Sequence, residues 1–484
     1  MKRKRTMIAA VIVLIALIAG IFVVNNVEKH VDSLNSIDEV IISLDGDDVS
    51  KFEWTIDGET LGFEKSDDTW IDPDDADFPV DTELITEFLD EFSEVHASFI
   101  IDDVEDYSQY GLEEPDASVT FTLSEGSLTV DLGSYSVMDE KRYVSIGDGK
   151  VYLIDTDLLE DVSVERDDFM LHDTLTDMTQ VTEFKVTGEL NTDLVYDEEG
   201  VYTYTDIYNY YMVENGNYLP VADDSAEEYM GNLLDLTFKT YASYTASNED
   251  LSAYGLDSPA LTITVNGYVT DEETKENTDV SETVYIGYVI DTETEVEEGE
   301  DPAKLVYLRV GDSEIIYCVS QTVYDTLIKG TYNDIRPSDL VYIDEETVTQ
   351  VTAALEDISY QIDYTVPEEE KDEEETAREY TLNDYSVSIN GIISALNSCD
   401  VQDFEPENEK GTLEFSISVK LDREKYDSVE VSFYRYDGDY CLATVNDEEI
   451  GLVNRSEMTA VREAFMSVVL NLGKDSEEAE TVTE

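Results

Sequence analysis

The feature that most constrains the fold of this chain is an internal repeat. The pattern Tyr-Gly-Leu-x-x-Pro fills residues 110–115 and recurs at residues 254–259. Each copy runs into a segment of alternating apolar and polar residues, 117–123 (ASVTFTL) and 260–265 (ALTITV), which is typical of a half-buried β-strand. The spacing exceeds the roughly 20–50 residues of solenoid repeats, so the pattern predicts duplicated domains. The repeated residues are Tyr110, Gly111, Leu112 and Pro115 in the first copy and Tyr254, Gly255, Leu256 and Pro259 in the second.

The segments around the two copies also match. Upstream of the first copy, apolar residues recur at helical spacing over 84–95, with Asp81 placed to cap the helix. Upstream of the second copy they recur over 229–236, after a capping box formed by Ser225 and Glu228. Further alternating segments and a short capped helical turn follow each copy. One unit is therefore predicted to be strands, a helix, an antiparallel meander and a closing helix.

A third, more divergent unit follows the first two. Apolar residues at helical spacing over 389–396 precede alternating segments that include 413–421 and 440–445, and Ser456 is placed to cap a last helix. The Tyr-Gly-Leu-x-x-Pro element is absent from this unit, and Phe-Glu-Pro at 404–406 takes its approximate place.

These patterns predict an α+β fold, in which an N-terminal single transmembrane helix precedes tandem repeated domains, each an antiparallel β-meander packed with helices. The predicted boundaries are a cytoplasmic basic tail at 1–6, a transmembrane helix at 7–24, a linker at 25–36, a first repeat at 37–178, a second at 179–338, a divergent third at 339–473 and an acidic disordered tail at 474–484.

The N-terminus has the pattern of a membrane anchor. Residues 7–24 carry no charged side chain, and at ~1.5 Å rise per residue they would span roughly 27 Å, close to the ~30 Å hydrocarbon core of a bilayer. A cleaved signal peptide is the competing interpretation, but its apolar region is usually about 7–15 residues and ends in a small-residue cleavage site. Basic residues at 2–5 precede the run, so we expect a single-pass protein of the cell membrane with its N-terminus in the cytoplasm and the bulk of the chain outside.

The net charge excludes whole classes of partner. The chain has 115 Asp and Glu against 28 Lys and Arg, which gives a net charge of −87. Nucleic acid would be repelled, because proteins that bind it need a basic surface to neutralise phosphates. The charge does not predict general disorder, since 42% of the residues are hydrophobic. The acids are expected mainly on the surface, in loops and in the tail.

The two Tyr-Gly-Leu-x-x-Pro units resemble the bacterial domain of unknown function family 4340. Members of that family pair a Trp-containing segment and a helix with this element, and then continue into strands that carry Ile-Gly or Leu-Gly, Tyr-Val and Val-Tyr. The resemblance covers roughly Trp70–Val162 and Tyr218–Leu327, with Tyr218 at the Trp position of the second copy. Many members are membrane-anchored and resemble auxiliary parts of gliding-motility-type ABC export systems, so the resemblance implies such a setting. It implies no catalytic residue.

No pattern in the sequence indicates catalysis, a cofactor or a specific metal. The phenols and glycines of the repeated motif are expected to serve turn geometry and packing. His172 is the best candidate for a general base, although interdomain packing is the favoured interpretation. The acidic clusters at 45–48 and 72–77 do not match an EF-hand loop, so no specific calcium site is predicted. The odd number of cysteines argues against a disulfide framework and favours packing roles for Cys318, Cys399 and Cys441.

These observations favour a non-enzymatic, membrane-anchored, extracytoplasmic accessory or scaffold protein. Its expected contacts are the membrane, through the N-terminal helix, and a membrane protein such as a subunit of an ABC-type transport system. Two alternatives stay open. The first is an extracellular binding module whose tyrosines and acids contact a cationic or glycan ligand. The second is an envelope hydrolase, which would need His172 or a cysteine inside a cleft with aligned partners.

Overall fold

A computed structural model describes residues 38–291, 304–355, 358–365 and 378–472. The chain divides into two compact units, Met1–His172 and Asp173–Glu484. The first unit contains one nine-stranded antiparallel sheet and the second contains two.

The first sheet forms where apolar and polar residues alternate, with every second side chain turned to the core. Its strands are β1 (Glu39–Ile42), β2 (Val49–Ile56), β3 (Glu59–Ser66), β4 (Thr69–Ile71), β5 (Val95–Ile101), β6 (Ala117–Leu123), β7 (Gly126–Ser136), β8 (Lys141–Ser145) and β9 (Val151–Ile154). They lie side by side in the order β1-β5-β9-β8-β7-β6-β2-β3-β4. The strand predicted at 117–123 is confirmed as β6.

The second sheet opens the second unit. Its strands are β10 (Gln180–Gly188), β11 (Thr192–Tyr196), β12 (Tyr210–Glu214), β13 (Asn217–Val221), β14 (Tyr241–Ser243), β15 (Leu261–Thr270), β16 (Asn277–Asp291), β17 (Lys304–Val310) and β18 (Ile316–Ser320). Their order is β13-β12-β11-β10-β15-β16-β17-β18-β14.

The third sheet follows in the same unit. Its strands are β19 (Val348–Leu355), β20 (Ile358–Thr365), β21 (Glu379–Leu382), β22 (Tyr385–Val387), β23 (Val401–Asp403), β24 (Leu413–Leu421), β25 (Ser428–Arg435), β26 (Tyr440–Val445) and β27 (Glu448–Asn454). Their order is β22-β21-β20-β19-β24-β25-β26-β27-β23. The strands predicted at 413–421 and 440–445 are confirmed as β24 and β26.

The three sheets share one arrangement of eight strands, and the second and third share all nine. The second and third sheets correspond strand by strand along the chain, β10 to β19 and so on up to β18 to β27. Corresponding strands have the same position in the two sheets, with β10 and β19 near the centre and β14 and β23 at one edge. The first sheet has the same eight-strand arrangement, but it adds β1 beyond β5 and ends at β4 on the other side. This order is independent of the motif, because the third sheet has it without a Tyr-Gly-Leu-x-x-Pro element.

The helices are short and lie between strands. They are α1 (Thr82–Asp90), α2 (Leu158–Val162), α3 (Asp223–Leu234), α4 (Gln321–Leu327), α5 (Tyr332–Ile335), α6 (Asn390–Asn397) and α7 (Arg455–Leu470). The predicted N-cap of α1 is confirmed, because the Asp81 carboxylate accepts hydrogen bonds from the backbone N–H of Glu83 and Leu84. The predicted capping box at Ser225 is wrong, since α3 begins two residues earlier and no side chain caps it.

The predicted α+β class is wrong. The structure is mostly β-sheet, with 19% helix. One reason is that helical spacing over 84–95 predicts a longer helix than the one that forms, because α1 ends at Asp90. Val95 instead begins β5, where Val95 and Ala97 alternate with less buried neighbours. Among the described residues no helix is both long and apolar enough to cross a membrane. Residues 7–24, on which the predicted transmembrane helix falls, lie outside the described residues.

Aromatic side chains dominate the core of the first unit. Phe52 and Trp54 on β2 are almost fully buried and contact Phe88 of α1, with ring centroids 5.1 Å and 5.9 Å apart. Phe169 packs against the same rings, at 6.2 Å from Phe52 and 5.4 Å from Trp54. The indole Nε1 of Trp54 donates a hydrogen bond to the Val164 carbonyl at 3.3 Å, so the one polar atom of this large buried ring has a partner.

Candidate functional site

The repeated motif forms the same turn in both copies. A 3-10 turn at Ser108–Tyr110 ends at Gly111, and a 3-10 turn at Leu251–Tyr254 ends at Gly255. The two glycines have φ values of 71° and 67°, in the left-handed region that a side chain disfavours. Backbone geometry therefore favours glycine at this position in each copy.

The turn lies directly over a glycine of the neighbouring strand. A Cβ atom at Gly133 of β7 would stand 2.4 Å from the Tyr110 carbonyl oxygen, and one at Gly287 of β16 would stand 2.9 Å from the Tyr254 carbonyl oxygen. Both distances are too short for real atoms, so the backbone of the turn and the strand approach as closely as glycine allows. Gly133 and Gly287 are therefore part of the repeated structure, together with the motif.

The motif tyrosines pack on a tyrosine of the next strand of the meander. The ring centroids of Tyr110 and Tyr143 are 5.0 Å apart, and those of Tyr254 and Tyr307 are 5.1 Å apart. The leucines that follow, Leu112 and Leu256, are buried. In both copies these side chains contact their own sheet, which is the geometry of a packing element.

The histidines occupy unrelated places in the first unit. The ring nitrogens of His96 on β5 donate hydrogen bonds to the carboxylates of Asp38 and Glu94, and these bonds, that to Asp38 most strongly, raise the pKa of His96. His172 is half-buried in the segment that follows the 3-10 turn Arg166–Phe169. His30 lies outside the described residues.

The cysteines are free thiols. Burial raises the pKa of Cys399 to about 12 and that of Cys441 to about 11, and it raises the pKa of Cys318 as well. A nucleophilic or metal-binding cysteine needs a lowered pKa, because the thiolate is the reactive form. These three environments favour the neutral thiol, which suits packing.

The two dense acidic clusters have structural partners. The Asp72 carboxylate is buried and lies 2.9 Å from Arg166 Nε, and Asp75 lies 3.3 Å from Nη2 of the same guanidinium. Asp45 caps the 3-10 turn Gly46–Asp48 by accepting from the Asp47 backbone N–H. In the part of the chain that the structure describes, no group of three or more His, Cys, Asp or Glu side chains is arranged to hold a metal ion.

An open cleft of about 560 Å³ lies in the third sheet, where β27 passes into α7. Its lining residues are Gly438, Asp439, Tyr440, Asn454, Arg455, Ser456 and Thr459. The positively charged side chain in this cleft, Arg455, already forms an ion pair, because its Nη2 lies 2.7 Å from a carboxylate oxygen of Glu414. The sequence prediction placed Ser456 at a helix start and did not foresee a cleft.

A second feature that the sequence prediction missed joins the second and third sheets. The loop between β11 and β12, residues 197–209, is called the joint loop below. Tyr204 is half-buried and packs against the apolar core of the third sheet. Tyr208 is buried, and the nearby Asp339 carboxyl group contributes to the raised pKa of its phenol. Burial raises the pKa of both phenols, so they stay neutral in the joint.

An ion pair and two hydrogen bonds lie beside these tyrosines. Arg423 Nη2 lies 3.1 Å from Oδ2 of Asp206, and its Nη1 donates to the Thr203 carbonyl at 3.3 Å. On the other side, Asn333 Nδ2 donates to Oε1 of Glu405 at 2.9 Å. Polar contacts therefore flank the buried rings of the joint.

Arg336 completes the joint. Its guanidinium lies between two rings, 4.7 Å from the centroid of Tyr332 and 4.3 Å from that of Phe404. Burial lowers the pKa of Arg336, and the aromatic faces provide the favourable contacts for its charge. The backbone N–H of Leu340 donates to the Cys399 carbonyl at 2.8 Å, which ties the connecting segment to the third sheet.

In the sequence, the joint is indicated by three closely spaced tyrosines, Tyr202, Tyr204 and Tyr208. These tyrosines lie between β11 and β12 of the second sheet. The corresponding strands of the first sheet, β3 and β4, are joined only by a tight turn. A longer, tyrosine-rich connection in one copy of a repeat indicates a contact that the other copy lacks.

The comparisons with known proteins point to one family. The family model described as a domain of unknown function (DUF4340) matches residues 70–204 and 212–416. The matched segments do not coincide with the sheets, because the first extends from β4 into the joint loop and the second from β12 to within β24. No curated protein and no solved structure matches the chain. The two matches cover well over half of the sequence, and the chain therefore belongs to the DUF4340 family, with two tandem copies of its domain.

Proposed function

We propose that this chain is a non-enzymatic scaffold that binds a protein partner outside the cytoplasm, at the cell membrane. The observation that carries the proposal is the joint between the second and third sheets. The chain uses Tyr204, Tyr208, Arg336 and Arg423 to fix two sheets of the same strand order in one compact unit. A fixed pair of surfaces suits presentation to a partner, since binding then costs little conformational entropy.

The repeated motif supports the same proposal. Its glycines serve backbone geometry and its tyrosines and leucines pack on their own sheets, so the most distinctive residues of the family are used in building the module. The location outside the cytoplasm rests on the sequence alone. The association with an ABC-type transport system rests on the setting of the family that the motif resembles.

Crosslinking in native membranes tests the proposal. Cells that express the tagged full chain are crosslinked and extracted with detergent, and the proteins recovered with the tag are quantified against an untagged strain. We expect strong enrichment of one or a few membrane proteins, and a permease or ATPase among them would support the transporter association. Recovery of no membrane protein above background would contradict the scaffold function.

A stacked pair of tyrosines favours a second candidate, a binding module for a cationic or glycan ligand. The rings of Tyr202 and Tyr218 are parallel, with centroids 3.8 Å apart, and Tyr218 is 36% exposed. The interaction with the Tyr218 hydroxyl raises the pKa of Tyr202, and the nearby carboxylate of Asp197 raises it further. Stacked phenols beside a carboxylate suit a cation or a sugar face. Titration with a trimethylammonium compound and with a neutral oligosaccharide, monitored by tyrosine fluorescence, tests this candidate against the Tyr218→Ala variant.

A further inference from the structure

The hairpin between β7 and β8 carries two apolar side chains at its tip. Val137 is 85% exposed and Met138 is 90% exposed, more than any other large apolar side chain among the described residues. Tyr135, at the end of β7, is 43% exposed beside them. Single exposed apolar residues are ordinary, but three within four positions of one hairpin form a local patch.

Turn geometry does not require these residues. Gly, Asn, Asp and Ser dominate hairpin tips because they suit the backbone there and remain hydrated. The corresponding hairpin of the third sheet, between β25 and β26, follows this rule with Tyr-Asp-Gly-Asp at residues 436–439. In the first sheet the same place holds Val-Met-Asp-Glu at residues 137–140. The hairpin tip therefore departs from this rule in the first sheet and follows it in the third.

The tip is held by its own hydrogen bonds. Ser136 Oγ donates to Oδ2 of Asp139 at 2.6 Å and accepts from the Asp139 backbone N–H at 3.3 Å. At the root of the hairpin, Lys141 forms an ion pair with Asp155. A tip that is ordered before binding loses little conformational entropy when a partner covers it.

A buried arginine fixes the strand below the tip. The Arg142 side chain is 6% exposed, and its Nη1 lies 2.9 Å from Asp116 while its Nε lies 2.5 Å from Asp157. The guanidinium also lies 5.8 Å from the ring centroid of Tyr135, on the same hairpin. The root is thus rigid, and the apolar tip projects from it.

The chemistry of the tip selects one kind of partner. Methionine adapts its shape to an apolar pocket, and a buried valine and methionine each remove apolar surface from water. The adjacent carboxylates of Asp139 and Glu140 would be costly to bring into a bilayer and would be repelled by anionic lipid. A second copy of this chain is also disfavoured, because each copy carries a net charge of −87. The remaining partner is a protein with an apolar pocket and Lys or Arg at its rim.

We infer that the hairpin tip of Val137 and Met138 inserts into an apolar, basic-rimmed pocket of a partner protein. The inference rests on the proposed scaffold function and names the surface and the chemistry of the contact. The tip supplies the apolar anchors, and the carboxylates of Asp139 and Glu140 meet the basic rim and orient the hairpin.

Site-specific photocrosslinking in the full chain tests this inference. A photoreactive phenylalanine is placed at Met138, and at Leu413 as the control, because Leu413 is an exposed apolar residue of the third sheet at 54%. We expect a discrete adduct from position 138 that is absent from position 413, with the crosslink mapped to an apolar segment of the partner beside Lys or Arg. A crosslink between two copies of this chain would overturn the inference.

A pair of variants separates the inference from the scaffold function. The double variant Val137→Ser with Met138→Gln is expected to lower recovery of the crosslinked partner at least tenfold, while Leu413→Gln leaves it unchanged. Equal recovery by the double variant would overturn the inference and leave the scaffold function standing, whereas no partner for any variant would overturn both. Binding of the unmodified chain, but not the double variant, to phosphatidylcholine vesicles would overturn the inference in favour of a membrane-inserting loop.

Discussion

At the scale of the residue, the close approach of turn and strand is the most exacting feature of the repeat. Gly111 and Gly255 supply the left-handed backbone, and Gly133 and Gly287 leave room for the carbonyl of the motif tyrosine. The first pair is visible in the sequence because both glycines belong to the repeated pattern. The second pair is harder to recognise, since only the sheet brings the strand under the turn.

Replacement of Gly133 by alanine tests the close approach. The added Cβ would meet the Tyr110 carbonyl at 2.4 Å, so turn or strand must move, and we expect a loss of about 1–3 kcal/mol in the free energy of unfolding of the first unit. Both tryptophans of the chain, Trp54 and Trp70, lie in this unit, so their fluorescence during urea unfolding reports on it selectively. The control is Gly46→Ala, where a Cβ would make ordinary contact with Leu89 at 3.7 Å. Equal stability of the two variants would contradict the prediction.

A second residue-scale prediction concerns the ion pair below the hairpin. Burial acts to raise the pKa of Asp157, but the hydrogen bonds from Arg142 and from the Leu159 backbone N–H outweigh it, and the net result is a lowered pKa. A carboxyl group whose pKa is lower in the folded state stabilises the fold above its unfolded pKa, and the contribution is lost as the pH falls through the folded value. The ionised Asp157 should therefore stabilise the first unit at neutral pH and cease to do so in acid.

The measurement compares the chain with its Asp157→Asn variant between pH 7 and pH 3. Asparagine can keep the helix cap at Leu159, so the difference reports the loss of the charge together with one hydrogen bond from Arg142. We expect the variant to be less stable at neutral pH, with the difference in free energy of unfolding shrinking below pH 4. A difference that is constant over this range would show that the charge of Asp157 does not act as described.

At the scale of the element, the joint loop distinguishes the second repeat from the first. A connection of this length between adjacent strands allows Tyr204 to reach the core of the third sheet, whereas only a tight turn joins β3 to β4. Alternation and capping predict such elements well where the signal is local, as at β6 and at the Asp81 cap. They fail where tertiary contact decides, as at the end of α1 and in the joint loop.

Truncation of Tyr204 should loosen the joint. Tyr204→Ala removes a half-buried ring that packs on the third core, and we expect a loss of roughly 2–4 kcal/mol, at the lower side of the range for a fully buried aromatic residue. Calorimetry of the full chain should show the transition of the second unit broadened or split in this variant. Tyr385→Ala, at an exposed tyrosine of β22, is the matched control and should leave the transition unchanged. An unsplit, unshifted transition in Tyr204→Ala would rule out a stabilising joint.

At the scale of the whole molecule, one arrangement of eight strands occurs three times. The repeated motif predicted two copies of a unit and the strand alternation predicted a divergent third segment, but neither indicated nine strands in each sheet. The predicted proportion of helix was too high because short apolar stripes that lie between strands resemble the starts of longer helices. The edge strands β13 and β22 of the second and third sheets are set by pairing across the sheet and have little signal of their own.

The central structural claim is that the second and third sheets act as one body. Hydrogen exchange on the full chain tests it most directly, with the backbone N–H groups of Leu340 and Val401 as reporters, because they donate to the Cys399 and Ser338 carbonyls at 2.8 Å and 2.7 Å. We predict that these amides exchange with the same free energy of opening as the central strands β10 and β19, and that Tyr204→Ala lowers the protection of all of them together. Separate opening free energies for the two sheets, with the effect of Tyr204→Ala confined to the joint loop, would contradict the account.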